Sequence, residues 1–161
     1  MAPPSKRLKY PTDGAPTVYL AHTIEDWDLE GPAADALGAC GVAIYAEWSS
    51  GRLFEAFDEG AANQLRARLS LGDSWLVVLV SERTPQTGWI PWVLELARES
   101  MSPQRYAVLP VHRGPGAWSL PSAFLGYSRV EEHGDALVVV GPAPGVSLPL
   151  SHWFRPTTGL E

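Results

Sequence analysis

Short runs of consecutive apolar residues alternate along this chain with longer segments of mixed character. Four runs are bounded by polar residues and have the length of buried strands: residues 18–21, 42–46, 75–80 and 106–111. The run at 75–80 is apolar throughout, which is typical of a parallel strand buried on both faces. We therefore expect residues 75–80 at the centre of a parallel sheet, with residues 18–21 beside them.

The segments between these runs predict helices. Three are expected: from about Gly31-Pro32 to Gly38, over residues 61–71, and over residues 89–101. Pro32 and Pro91 both fall in a first helical turn, where a missing N–H removes no helical hydrogen bond. Leu65 and Leu69 lie four apart, as on one helix face.

Strand and helix alternate through four units, and the connections are long enough for right-handed crossovers. This order predicts an α/β fold, a flavodoxin-like three-layer sandwich with a central parallel sheet. Residues near 124–127 and 136–141 are expected to add strand. We expect residues 1–16 to be a flexible, proline-rich leader, residues 17–155 a single domain and residues 156–161 a tail.

Composition agrees with one globular domain and narrows the partners. Of 161 residues, 45% are hydrophobic and 19% are charged. The formal net charge of −6 argues against a nucleic-acid surface, because such a surface is rich in Lys and Arg. Cys40 is the single cysteine, which favours a reducing, cytoplasmic compartment. The sequence has neither a membrane-spanning apolar run nor the apolar core of a signal peptide.

The common nucleotide, hydrolase and zinc-protease motifs are absent from the sequence. The four histidines are far apart, so no metal site is expected. In parallel sheets, ligands bind beyond the carboxyl ends of the strands. His22 and His112 each follow a predicted strand, and each is interpreted as either an exposed or capping histidine or a wall of a ligand site.

Several segments, taken in order, resemble bacterial members of the Toll/interleukin-1 receptor (TIR) family. They are VYLAHT at 18–23, VAIYAEW at 42–48, LVS at 79–81, WIPW at 89–92, AVLPV at 107–111 and FLGY at 124–127. In that family the third strand is followed by a Trp-x-x-Trp-Glu-Leu helix start, and the fourth strand reads Val-Leu-Pro-Val or close to it. The resemblance covers about residues 17–130 and implies the same flavodoxin-like fold.

The resemblance also implies a chemistry, cleavage of the glycosidic bond between ribose and nicotinamide in NAD. Enzymatic TIR domains carry a glutamate four residues after the first Trp, but here that position is Val93. The nearest carboxylate, Glu95, is about 200° further round the helix. Glu95 is thus interpreted either as a solvated helix carboxylate or as the catalytic group, with a side chain pointing into a cleft bounded by His22, Trp48 and the loop after Ser81.

The resemblance places His22, Trp48, Trp89 and Trp92 at the NAD site. Trp89 and Trp92 have a second interpretation as core anchors. Glu47, beside Trp48, is another carboxylate expected near the same cleft. No bound cofactor is expected, since NAD would be the substrate.

Three functions remain open from the sequence. The first is a signalling enzyme of bacterial defence or stress, a TIR-like NAD hydrolase or cyclase. The second is a non-catalytic TIR module that works by self-association or by engaging an effector protein, with Leu53, Phe54 and Phe57 as its contact surface. The third is a nucleoside- or nucleotide-processing α/β domain.

Overall fold

The computed structural model describes residues 16–45, 63, 66–67, 69–70, 74–84, 88–112, 114, 116, 118–134, 136–141 and 147–154. Its strands are β1 (Thr17–Ala21), β2 (Ala43–Tyr45), β3 (Ser74–Ser81), β4 (Tyr106–Val111), β5 (Arg129–His133), β6 (Ala136–Val140) and β7 (Ser147–Pro149). Its α-helices are α1 (Glu30–Gly38), α2 (Trp89–Ser100) and α3 (Leu150–Trp153), and short 3-10 helices cover Ile24–Leu29, Pro103–Arg105 and Ser122–Phe124.

The strands form one sheet in the order β2-β1-β3-β4-β5-β6-β7. The first five in that order pair in parallel. The order 2-1-3-4-5 is that of flavodoxin-like doubly wound sheets. The predicted α/β class, the central position of β3 and the neighbouring position of β1 are confirmed.

The far side of the sheet differs from the expected parallel arrangement. β5, β6 and β7 pair antiparallel. His133 pairs with Ala136, so a two-residue turn joins β5 to β6, and Gly134 begins that turn with a φ of +66°, a conformation that glycine adopts readily. The expected strand at 136–141 is confirmed as β6, whereas residues 124–127 are the end of a 3-10 helix and a turn, not a strand.

The helices largely follow the sequence pattern. α1 begins at Glu30, after a 3-10 segment that the sequence did not indicate, and Pro32 lies in its first turn as predicted. α2 covers Trp89–Ser100, again with proline in the first turn. Of the predicted helix over 61–71, the described residues 63, 66–67 and 69 are helical.

Alternation along the strands divides the core into two layers. Tyr19, Val78 and Val108 pack with α2 on one face of the sheet. Leu20 and Val77 pack with α1 on the other. Helices therefore cover both faces, which confirms the three-layer sandwich.

Candidate functional site

The strand order reverses between β1 and β3, so their carboxyl ends are the position where doubly wound sheets bind ligands. β1 ends at Ala21 and β3 ends at Ser81. Successive residues of a strand point to opposite faces. His22 and Ser81 therefore continue the face of Leu20 and Leu79, which is the face covered by α1.

At this edge the carboxylate of Asp26 lies among hydroxyl groups from both strands' loops. Ser81 Oγ donates to Asp26 Oδ1 at 2.7 Å, and Thr84 Oγ1 donates to Asp26 Oδ2 at 3.0 Å. Thr23 Oγ1 lies 3.4 Å from Oδ2. Hydrogen bonds to a carboxylate are stronger than those between neutral groups, so Asp26 ties the loop after β1 to the loop after β3.

The turn after β3 is held in place by the same hydroxyls. Thr84 Oγ1 accepts from the Ser81 N–H at 2.9 Å, and the Thr84 N–H donates to the Ser81 carbonyl at 3.0 Å. Ser81 Oγ also accepts from the Arg83 N–H at 3.0 Å. Because each hydroxyl both donates and accepts, the turn and the carboxylate depend on one another.

His22 makes a second buried connection, from β1 to α1. Its Nδ1 donates to the Thr23 carbonyl at 2.6 Å, and its Nε2 lies 2.9 Å from Glu30 Oε2. A carbonyl cannot donate, so Nδ1 carries a proton, and the contact between Nε2 and the carboxylate requires one more proton between the two groups. The pair fixes the start of α1 against the end of β1.

These side chains are closed to solvent. His22, Asp26 and Ser81 are at most 1% exposed, and Thr23, Glu30 and Thr84 at most 7%. Within the described ranges, no group of three His, Cys, Asp or Glu residues is arranged to hold a metal ion. The cluster connects β1, β3 and α1, and a substrate has no direct access to the Asp26 carboxylate.

An open cleft lies on the same face, beside the carboxyl end of β4. It has a volume of about 690 Å³ and runs between α1 and strands β4, β5 and β6. Its floor is apolar: Ala33, Leu37, Leu109, Val130 and Leu137. This size and lining are within the range of small-molecule sites.

Aromatic and charged groups lie at the end of this cleft. The rings of His112 and Trp118, both of which line it, are stacked with centroids 6.0 Å apart and planes at 22°. His112 Nε2 lies 3.5 Å from Glu82 Oε2, which also accepts from the Gly114 N–H at 2.9 Å. These contacts hold the imidazole at the cleft mouth.

Among the described side chains expected at the NAD site, Glu95 and Trp92 lie on α2, whereas His22 lies at the end of β1 on the α1 face of the sheet. Glu95 lies on α2 with its side chain 58% exposed, and its Oε2 is 3.7 Å from an Arg98 amino group one turn on. Val93, at the family's glutamate position, is fully buried in the core under α2. Trp92 is partly buried against the same core.

The other expected residues are placed differently or lie outside the described part. His22 is at the strand edge as expected, but it is buried and hydrogen-bonded to Glu30. Trp48, Glu47 and the expected contact surface at Leu53, Phe54 and Phe57 lie outside the described residues, as does the side chain of Trp89. His112 does form a wall of the open cleft.

Sequence reasoning overlooked the residues that make the buried cluster. Thr23 and Asp26 have capping-box spacing, a local pattern that does not indicate a link to β3. Glu30 and Thr84 carried no signal of their own, and the sequence indicated Ser81 only as the end of a strand at the expected cleft. Trp118 follows the Gly-Pro-Gly segment at 114–116. Its ring contact with His112 could not be predicted, because the sequence pattern does not indicate the path of the chain between the two residues.

Comparison with protein-family models, with curated proteins and with solved structures finds no match to this chain. Among the described residues, no helix combines the length and the apolar character that crossing a membrane requires.

Proposed function

We propose that this chain is a TIR-like domain that acts by assembly in a cytoplasmic bacterial defence or stress pathway, and that it does not cleave NAD. Its partners would be further copies of itself and an effector protein. The resemblance in the segments at 18–23, 42–48, 79–92 and 107–111 supports the family. The flavodoxin-like strand order is the fold that the resemblance implies.

The burial of Val93 is the observation that carries the loss of catalysis. Cleavage of the nicotinamide–ribose bond passes through an oxocarbenium-like state, which a nearby carboxylate stabilises. Val93 is fully buried and brings no charge. Glu95 is exposed beside Arg98 on the far side of α2, about 165° from the middle of the buried stripe of Ile90, Val93 and Ala97.

Nicotinamide release from NAD by the purified protein tests this proposal. We expect release no faster than in a protein-free blank, with an active NAD glycohydrolase run in parallel to validate the assay. Glu95→Gln and the matched change Glu99→Gln, at another exposed carboxylate of α2, are expected to give the same blank value. Rapid release by the wild type that is lost in Glu95→Gln alone would overturn it.

Val93→Glu would place a glutamate at the position where enzymatic TIR domains have one, but we do not expect it to create NAD cleavage. It would place an unpaired carboxylate in the core under α2, and such burial costs roughly several kcal/mol of unfolding free energy. We therefore expect loss of folding and no gain of NAD cleavage.

Sedimentation velocity over a wide concentration range tests the assembly half of the proposal. We expect the weight-average sedimentation coefficient to rise with concentration, and to rise less in Phe54→Asp, with unchanged melting temperature. If the wild-type protein stays monomeric at every concentration, self-association is excluded. An effector protein would then be the remaining proposed partner.

A further inference from the structure

Among the described residues, no helix lies between β5 and β6, and the cleft is open on the face that such a helix would cover. In a doubly wound sheet, helices cover both faces, but here a two-residue turn leads from β5 directly into β6. On the α1 face, the four-residue α3 and Phe154 cover the other end of the sheet, where Phe154 meets Trp75 edge to face at 6.1 Å. The carboxyl end of β4 is thus left uncovered on this side.

The charge at the cleft is acidic. Among its lining side chains, Arg129 bonds to Glu131, so that cation is already neutralised. Glu131 also accepts from His133 at 3.1 Å. Glu132 is exposed, and its side chain makes no ion pair or hydrogen bond with the described residues. The cleft therefore presents one carboxylate that is available to a ligand.

Strand geometry aims Glu132 into the cleft. Alternation places it on the same face as Val130, which lies in the cleft floor. β4 and β5 pair in parallel at Val108 and Arg129, and Glu132, His112 and Trp118 all line the cleft. A carboxylate and an aromatic pair therefore border the same cavity.

We propose that this cleft binds a small arylalkylamine: a planar ring that packs against Trp118 and the apolar floor, joined by a short alkyl chain to an ammonium group that pairs with Glu132. A nucleotide is disfavoured, because its phosphates would meet unpaired Glu132 and no unpaired cation among the described lining residues. This inference does not rest on the assembly proposal, and its readout is different.

The test uses tryptamine as the probe and indole-3-propionate as its anionic counterpart. Binding is followed by amide chemical shifts in two-dimensional NMR of the full chain. We expect tryptamine to saturate at about millimolar concentration, as its small size allows, with amide shifts at residues 109, 111–112 and 130–132. Indole-3-propionate should bind roughly tenfold more weakly. NAD should not displace tryptamine.

Two variants and their controls complete the test. Glu132→Gln should weaken tryptamine binding about two- to fivefold, the range of one exposed ion pair, and leave indole-3-propionate no weaker. Ala36→Phe adds a ring to α1 at the cleft wall and should abolish saturation. Ala39→Phe adds the same ring at an exposed residue outside the cleft and should bind like the wild type.

Three results would each overturn the proposal. They are no saturable shift at the cleft residues, equal affinity for the ammonium and the carboxylate probe, and displacement of tryptamine by NAD. Because Glu132, Ala36 and Ala39 are exposed, the variants are expected to fold, and the dispersion of their NMR spectra verifies this in the same experiment.

Discussion

Two regions at the carboxyl edge of the sheet differ in their access to solvent: a buried cluster at the ends of β1 and β3, and an open cleft beside β4 and β5. At the switch point between β1 and β3, Asp26 is fully buried and is satisfied by hydroxyls of the chain itself. Beside β4 and β5, the α1 face stays open as a cleft of about 690 Å³. The first region is filled by the protein's own polar groups, and the second is available to another molecule.

The difference shows that strand order and accessibility are separate properties. Strand order alone points to the end of β1 and β3 as the ligand site. In this chain the 3-10 turn at Ile24–Leu29 brings Asp26 into that place, and the turn after Ser81 completes its hydrogen bonds. The accessible volume instead lies where a helix is missing. Mutations should therefore affect stability at one region and ligand binding at the other.

The largest effect is expected at Asp26. Asp26→Ala leaves the Ser81 and Thr84 hydroxyls buried without their acceptor, so we expect a loss of about 3 kcal/mol in the free energy of unfolding. Urea denaturation measures this loss. Asp28→Ala, an exposed carboxylate of the same 3-10 segment, is the matched control and should cost less than about 1 kcal/mol. Equal losses in the two variants would mean that the buried cluster does not stabilise the switch point.

A smaller effect is expected from the connection between His22 and Glu30. A double-mutant cycle with His22→Ala and Glu30→Ala should give a coupling energy of about 1–2 kcal/mol, because either single change leaves a buried polar partner. Thermal and urea unfolding of the four proteins measure it. If the two losses simply add, the 2.9 Å contact contributes nothing beyond packing, and the closed region is held by Asp26 alone.

The open region should tolerate truncation better. Trp118 is only partly buried, so Trp118→Ala is expected to lower the unfolding free energy by about 1 kcal/mol. Trp118→Phe keeps a ring against His112 and should lose less than half as much. If Trp118→Ala lowers the unfolding free energy as much as Asp26→Ala does, the proposed contrast between a stabilising buried cluster and an open cleft is wrong, because Trp118 would then contribute as much as a core residue.

The smallest effect concerns pH at the cleft rim. Hydrogen bonds from His133 and then Arg129 favour the charged carboxylate and lower the pKa of Glu131 below its ordinary 4.5. Any stability from these bonds is present above pH 4.5 and is lost as the pH falls through the lowered pKa. Carbon-detected NMR titration of the carboxyl group should show the lowered midpoint, and His133→Ala should raise it. A wild-type midpoint at or above 4.5 would be inconsistent with these bonds.

The parallel half of the sheet could be predicted because burial on both faces demands apolar runs. The predicted strand at residues 106–111 has the same bounds as β4, and β3 extends its predicted run by one residue at each end. The sequence pattern of the antiparallel strands β5 and β7 indicated strand less clearly. β5 buries Val130 among its five residues, and β7 buries none of its three. Such short, exposed strands have no periodicity to detect.

The candidate site was less predictable than the fold. The separation of Val93 and Glu95 round α2 follows from helix geometry, and the structure has Val93 buried and Glu95 exposed accordingly. The buried cluster does not follow from local pattern, because Ser81 and Thr84 lie 55 and 58 residues from Asp26 in the chain. The cleft depends on the direct turn from β5 into β6. The sequence did not indicate this turn, because a strand was expected at 124–127 and β5 at Arg129–His133 was not.

Because β1 lies inside the sheet, both of its neighbouring strands are synthesised after it. Thr17 pairs with Ala43 on one side and with Ser74 on the other. At about 5–20 residues per second, the segment that pairs on the second side is made roughly 3 to 11 seconds after β1. During that interval the apolar side chains of Val18 and Leu20 lack β3, their neighbour in the finished sheet. Chaperones bind exposed apolar surface of this kind in nascent chains, and β3 covers one edge of β1 once it has been made.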